Sequence, residues 1–117
     1  MSTPRASQTP KVDVDEAMAL LTGDALMIDV RDQHEWSAGH PPHAVHIPIQ
    51  DISVSTAFTT RTRRVIVVSR SGRRAESAVS QLRTAGVDAA TLHGGLHAWV
   101  RAGGEIIADA GREPKII

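Results

Sequence analysis

The chain has 117 residues, of which 41% are hydrophobic, a size that suits one domain with a core of its own. Its 13 basic residues balance its 13 acidic residues, so the basic excess of a non-specific nucleic-acid binder is missing. It contains no cysteine, which excludes disulfides, thiolate-bound metals and a cysteine nucleophile.

The chain begins with a polar segment. Residues 1–11 are predicted to be a disordered lead-in with no targeting signal, and no apolar run is long enough to cross a bilayer. We therefore expect a cytoplasmic protein that has neither a membrane nor a nucleic acid as its partner.

Capping patterns predict two helices in the first half. Asp13 precedes Glu16 by three residues, and an apolar face follows on Val14, Ala17, Met18 and Leu21. A strand is predicted over Ala25–Val30. The same pattern at Asp32 predicts a short helix over Asp32–Ala38, which Gly39 stops. Another strand is predicted over Val45–Ile47, and residues 49–60 remain ambiguous.

The second half has clearer periodicity. Val65–Val68 is apolar throughout, as in a parallel strand covered on both faces. A helix follows, ended by Gly86, with an apolar face on Ala75, Ala78, Val79, Leu82 and Ala85. After a strand over Ala89–Leu92, a last helix face is predicted on Leu96, Trp99 and Val100. Alternating strands and helices indicate an α/β fold with a mainly parallel sheet and helices on both faces.

Charge is unevenly distributed along the chain. Residues 1–51 hold three basic and eight acidic residues, whereas residues 52–117 hold ten basic and five acidic ones. Six basic residues fall between positions 61 and 74. For Arg61, Arg63 and Arg64 we expect a solvated surface. The other three basic residues, Arg70, Arg73 and Arg74, lie in the polar loop that follows the strand Val65–Val68.

The loop Ser69–Arg74 connects a predicted strand to a predicted helix. Ligands of open α/β sheets bind at such turns, where the backbone N–H groups that begin the helix favour an anion. Gly72 permits the left-handed conformation that a close backbone cradle requires, and an arginine could add a bidentate contact. The alternative is an ordinary loop whose arginines are solvated.

Several motifs in this order resemble the rhodanese family. Ser69–Arg74 resembles the Cys-Arg-Ser-Gly-x-Arg loop of that family, with serine in place of the cysteine. The other matching segments are Asp29-Val30-Arg31, Glu35-Trp36, Gly39-His40, Ala44 with Ile47-Pro48, Leu92-His93-Gly94-Gly95 and Ala98-Trp99. One departure is His43, where the family usually has glycine.

The resemblance implies a single rhodanese-like domain over residues 12–108, followed by a tail over 109–117, with no cofactor. In that family the loop cysteine takes a sulfur atom from thiosulfate or another donor and passes it on as a persulfide. Ser69 has no accessible persulfide form, and loss of such a nucleophile can lower a rate by about a millionfold.

Two interpretations of Ser69 stay open. The first is a non-catalytic rhodanese homologue that binds a small oxyanion, a sulfur compound or a protein partner, with a regulatory role. The second is a thiosulfate or persulfide sulfurtransferase in which an experimenter replaced the catalytic cysteine by serine. The Ser69 hydroxyl itself is expected to be inactive.

The resemblance and the position of each residue also suggest roles. Arg74 is expected to clamp the anion, whereas Arg70 and Arg73 are expected to face outward, where they set the local field or select a partner. Ser71 is expected to cap the following helix and Gly72 to shape the loop. Asp29 and Arg31 are expected to form an ion pair that supports the loop.

The sequence also has four closely spaced histidines: His34, His40, His43 and His46. A metal site is not predicted there, because Pro41-Pro42 prevents a helix that would align these side chains. Trp36 and Trp99 have helical spacing beside apolar residues, and both are predicted to lie in the core.

Overall fold

Alternating apolar strands and amphipathic helices do form an α/β domain in the computed structural model, which describes residues 10–53 and 63–117. The described strands are β1 (Lys11–Val12), β2 (Leu26–Asp29), β3 (Val45–His46), β4 (Val65–Val68) and β5 (Ala89–Leu92). They form one sheet in the order β1-β5-β4-β2-β3, and every pair is parallel. The described helices are α1 (Val14–Leu21), α2 (Gln33–Ala38), α3 (Arg73–Thr84) and α4 (Gly95–Arg101).

The central strand β4 explains the two-sided core. Successive side chains of a strand point to opposite faces of the sheet. Ile66 and Val68 therefore pack into one buried cluster together with residues of α1 and α4. Val65 and Val67 pack into the other cluster together with residues of α3. All four side chains are fully buried, which confirms the prediction of a strand covered on both faces.

Local capping sets the helix boundaries as predicted. The Asp13 side chain accepts the Glu16 N–H at the start of α1. At α2, Asp32 and Glu35 form both halves of a capping box, and Gly39 follows the last turn. Carboxylates at these positions satisfy N–H groups that would otherwise lack partners.

Both ends of the described chain make contacts with the rest of the domain. Lys11, assigned from the sequence to the lead-in, pairs with Thr91 in β1. The segment after α4 crosses α2: His40 and Ile107 exchange backbone hydrogen bonds of 2.9 and 2.8 Å, and the Lys115 N–H donates to Ala38 O. Ile116 also packs against the core.

Three sequence predictions lie outside the described residues: the lead-in over 1–9, Arg61, and most of the ambiguous segment, from residue 54 onward. The described start of that segment is a 3-10 turn over Ile49–Asp51. Among the helices described, none has the length and hydrophobicity needed to cross a membrane.

Candidate active site at the carboxyl edge of the sheet

Ser69 directly follows β4, at the carboxyl edge of the sheet. Its residue surface is 1% exposed. The Oγ atom accepts the Gly72 N–H at 3.1 Å and the Ala75 N–H at 3.2 Å. The side chain at position 69 therefore ties the end of the strand to the first turn of α3.

Gly72 shapes the loop between Ser69 and α3. It has a φ of 114°, a left-handed conformation that favours glycine, and it is the N-cap residue of α3. No side chain at the N-cap makes a capping hydrogen bond. The prediction that Ser71 caps this helix is wrong: Ser71 is exposed, and the buried Ser69 hydroxyl satisfies the N–H of the third helical residue, Ala75.

The start of α4 fixes the other side of the loop. The Leu96 N–H donates to Ser69 O at 2.9 Å, and the His97 N–H donates to Arg70 O at 3.2 Å. A Cβ atom at Gly95 would lie 2.6 Å from both of these carbonyl oxygens. The first residues of α4 therefore hold the carbonyl oxygens of Ser69 and Arg70 in place.

In the structure, Arg74 pairs with the carboxylate of Glu35. Its Nη1 and Nη2 atoms lie 2.6 and 2.9 Å from the two carboxylate oxygens of Glu35. The hydrogen bond from Arg74 lowers the pKa of Glu35 from 4.5 to about 2, and the same bond raises the pKa of Arg74. This guanidinium links the start of α3 to α2, and the role of anion clamp stays a prediction.

The predicted pair of Asp29 and Arg31 is present and completely buried. Arg31 Nη2 lies 2.8 Å from Asp29 Oδ2 and also donates to Gly39 O at 2.7 Å, while Nε contacts both carboxylate oxygens. A buried charge pair with several hydrogen bonds fixes geometry more than it adds stability. It holds the end of β2 against the end of α2, the helix that carries Glu35.

Trp36 of α2 lies outside the hydrophobic core. The prediction of a core position is wrong because Trp36 is half-buried and its ring stacks on two imidazoles, with centroid distances of 3.5 Å to His40 and 4.8 Å to His46. Trp99, by contrast, is 5% exposed and belongs to the core. The described residues contain no cluster of three or more His, Asp or Glu side chains arranged for a metal ion.

The exposed side of the loop carries Arg70 and Arg73. Arg70 and Arg73 are both exposed, and no carboxylate in the described chain pairs with either of them. Arg70 Nε donates to His97 Nε2 at 3.1 Å. The sequence analysis gave His97 and Gly95 no role at the site. A signal for them was available, since the pair Gly94-Gly95 begins a helix and the strand before it, β5, lies next to β4.

Comparison with known proteins identifies this architecture. The sequence model of the Rhodanese-like domain matches residues 13–102. The chain belongs to the rhodanese-like family. A protein named Sulfurtransferase from Allochromatium vinosum is 33% identical over 91 residues, which cover 77% of this chain and 85% of that protein.

Two further relatives agree. Putative sulfurtransferase YtwF from Bacillus subtilis is 30% identical over 94 residues, or 80% of this chain and 84% of that protein. The solution structure of the rhodanese-like domain of the Anabaena sp. Alr3790 protein has a TM-score of 0.74 and 27% identity, covering 92% of this chain and 90% of that one. The rhodanese-like fold predicted from the sequence motifs is thus confirmed.

Proposed function

We propose that this rhodanese-like domain binds a small sulfur-containing oxyanion at the loop Ser69–Arg74 and does not transfer sulfur. The observation that carries the proposal is the pair of hydrogen bonds from the Gly72 and Ala75 amides to Ser69 Oγ. A hydroxyl has two acceptor lone pairs and one proton. With both lone pairs occupied by amides, the proton is free to be donated to a bound anion.

The same hydrogen bonds argue against nucleophilic serine. Catalytic serine needs an adjacent base that removes its proton. In the described part of the chain, Ser69 Oγ hydrogen-bonds only two backbone amides, which are donors. Sulfur transfer also requires a persulfide, which needs a cysteine sulfur, and the chain has no cysteine.

Electrostatics favour an external anion at this position. A thiolate at position 69 would place a negative charge at the N-terminus of α3, where the helix dipole stabilises it. Serine is neutral, so the positive field of the helix end and of Arg70 and Arg73 lacks the negative charge that a thiolate would supply at position 69. A monovalent or divalent oxyanion at the loop would supply the missing charge.

The alternative function is sulfur transfer by a form of the chain with cysteine at position 69. Its support is the amide geometry, which suits a thiolate equally well, and the names of the two sulfurtransferase relatives. In that form the thiolate would attack the outer sulfur of thiosulfate and release sulfite as the S–S bond breaks. Cyanide would then take the outer sulfur as thiocyanate and restore the thiolate.

The decisive experiment compares the protein with its Ser69→Cys variant. Thiosulfate is titrated into ¹⁵N-labelled protein, and thiocyanate is measured with thiosulfate and cyanide present. We expect thiosulfate to shift the Gly72 and Ala75 amide signals, and only the cysteine variant to form thiocyanate. Thiocyanate formation by the serine protein above the uncatalysed rate would refute the absence of transfer. Unchanged loop signals at saturating thiosulfate would refute anion binding.

A further inference from the structure

One face of α4 is exposed and combines cationic and apolar side chains. His97, Val100 and Arg101 are three and four residues apart, so their side chains share one side of the helix. All three are exposed, and Val100 is 43% exposed. From the sequence, Val100 was predicted to belong to the apolar face of this helix. That prediction is wrong, because Leu96 and Trp99 are buried in the core whereas Val100 lies outside it.

This face continues directly into the loop. His97 contacts Arg70 twice, through the side-chain hydrogen bond at 3.1 Å and through its own N–H to Arg70 O at 3.2 Å. From His97 the helix rises about 6 Å to Arg101. We call Arg70, His97, Val100 and Arg101 the α4 strip. It begins at Arg70 in the loop and extends along α4 to Arg101.

The charges of the α4 strip have no acidic partner in the described chain. Neither Arg70 nor Arg101 lies within ion-pair distance of a carboxylate there. Guanidinium groups bind carboxylates with good geometry, and an exposed valine between them suits an apolar side chain. The balanced net charge of the whole chain is unlike that of a nucleic-acid binder.

We infer that the α4 strip docks an acidic protein segment, with one apolar side chain on Val100 and carboxylates at Arg70 and Arg101. The inference goes beyond the proposed function, because the α4 strip meets the loop at Arg70 while Val100 and Arg101 lie outside it. Complementary charges would steer the partner and orient it. Contact with Val100 would add apolar burial to the interface.

In the test, a short acidic peptide with one central leucine, acetyl-EDELEDE-amide, is titrated into the whole ¹⁵N-labelled chain. NMR signals of the protein report the binding. Two variants have matched controls elsewhere on the surface. Arg101→Gln is compared with Arg112→Gln, another exposed arginine without a carboxylate partner in the described chain. Val100→Ser is compared with Val45→Ser, whose valine is also 43% exposed.

We expect the peptide to shift the signals of α4, and its dissociation constant to rise about threefold in Arg101→Gln and about fivefold in Val100→Ser. The two control variants should bind like the unmodified protein. Equal losses in a variant and its control would overturn the inference, as would a single-stranded oligonucleotide that binds as well as the peptide.

The thiosulfate titration separates this inference from the proposed function. Arg101 and Val100 lie outside the loop, so thiosulfate should bind their variants with unchanged affinity. If thiosulfate fails to bind but the peptide depends on Val100 and Arg101, the loop proposal fails and the docking surface stands. If thiosulfate binds and the peptide ignores both substitutions, the docking surface fails alone.

Discussion

The ion pair of Glu35 and Arg74 should contribute measurably to folding, and a double-mutant cycle can test its strength. The pKa of Glu35 falls from 4.5 to about 2, and about 1.4 kcal/mol accompanies each pH unit of such a change. The upper bound is therefore about 3.5 kcal/mol. Because 39% of the Arg74 side chain is exposed, solvent screening reduces this value, and we expect a coupling energy of about 1–2 kcal/mol.

The pH dependence has a definite direction. A carboxyl whose pKa is lower in the folded state stabilises the fold when it is ionised in both states. For Glu35 this contribution is fully present above about pH 4.5, and it is lost as the pH falls toward about 2. The free energy of unfolding should therefore decrease less steeply across this window in Glu35→Gln, which keeps a side-chain acceptor for the Asp32 N–H.

Urea unfolding of the protein, Glu35→Gln, Arg74→Gln and the double variant supplies the cycle. Lys11 and Glu76 provide a matched control, since their ion pair spans 3.2 Å but is 41% and 40% exposed. We expect that pair to couple by less than about 1 kcal/mol. A Glu35–Arg74 coupling no larger than the control, or equal pH slopes with and without the Glu35 carboxylate, would refute the reasoning.

Three further substitutions have predictable effects on urea unfolding. Gly39→Ala should destabilise by about 1–3 kcal/mol, because its Cβ would overlap the Lys115 backbone, whereas Gly23→Ala has room and should have little effect; equal effects would contradict this. Thr91→Val should stabilise by up to about 1 kcal/mol, since Thr91 Oγ1 is buried without a partner in the described chain; a clear loss of stability would show a missed hydrogen bond. Ser69→Ala should destabilise by about 1–3 kcal/mol by leaving two amides unpaired, while Ser69→Cys should cost less; the reverse order would contradict the assigned hydrogen bonds.

Local chemistry made much of the fold predictable. The capping patterns at Asp13 and Asp32, the four branched residues of β4 and the glycine after α3 each act over a few neighbouring positions, so the sequence alone reveals them. Periodicity also placed Ser69–Arg74 in a strand-to-helix loop, and the motif order added the family. The ion pair of Asp29 and Arg31 was expected from the family resemblance and from the position of both residues at the end of a predicted strand.

The remaining contacts join residues that are distant in sequence. Arg74 meets Glu35 across 39 positions, and the Lys115 N–H reaches Ala38; periodicity carries no information about such pairs. Val100 shows a different limit. Its spacing from Leu96 fits an apolar helix face, but only the packing of the helix against the sheet decides how wide the buried face is.

The loop Ser69–Arg74 is ordered without a cysteine because the contacts that hold it involve other residues. Gly72 sets the turn, the first residues of α4 hold the Ser69 and Arg70 carbonyls, and the ion pair of Arg74 with Glu35 attaches α3 to α2. None of these contacts depends on the sulfur atom of a cysteine. The side chain at position 69 needs only an acceptor atom for two amides, which a hydroxyl provides as a thiolate would. Under the proposed function, a hydroxyl in place of a thiolate at position 69 would remove persulfide chemistry and one negative charge, while the Gly72 and Ala75 amides keep their acceptor; that combination is why we propose anion binding over sulfur transfer.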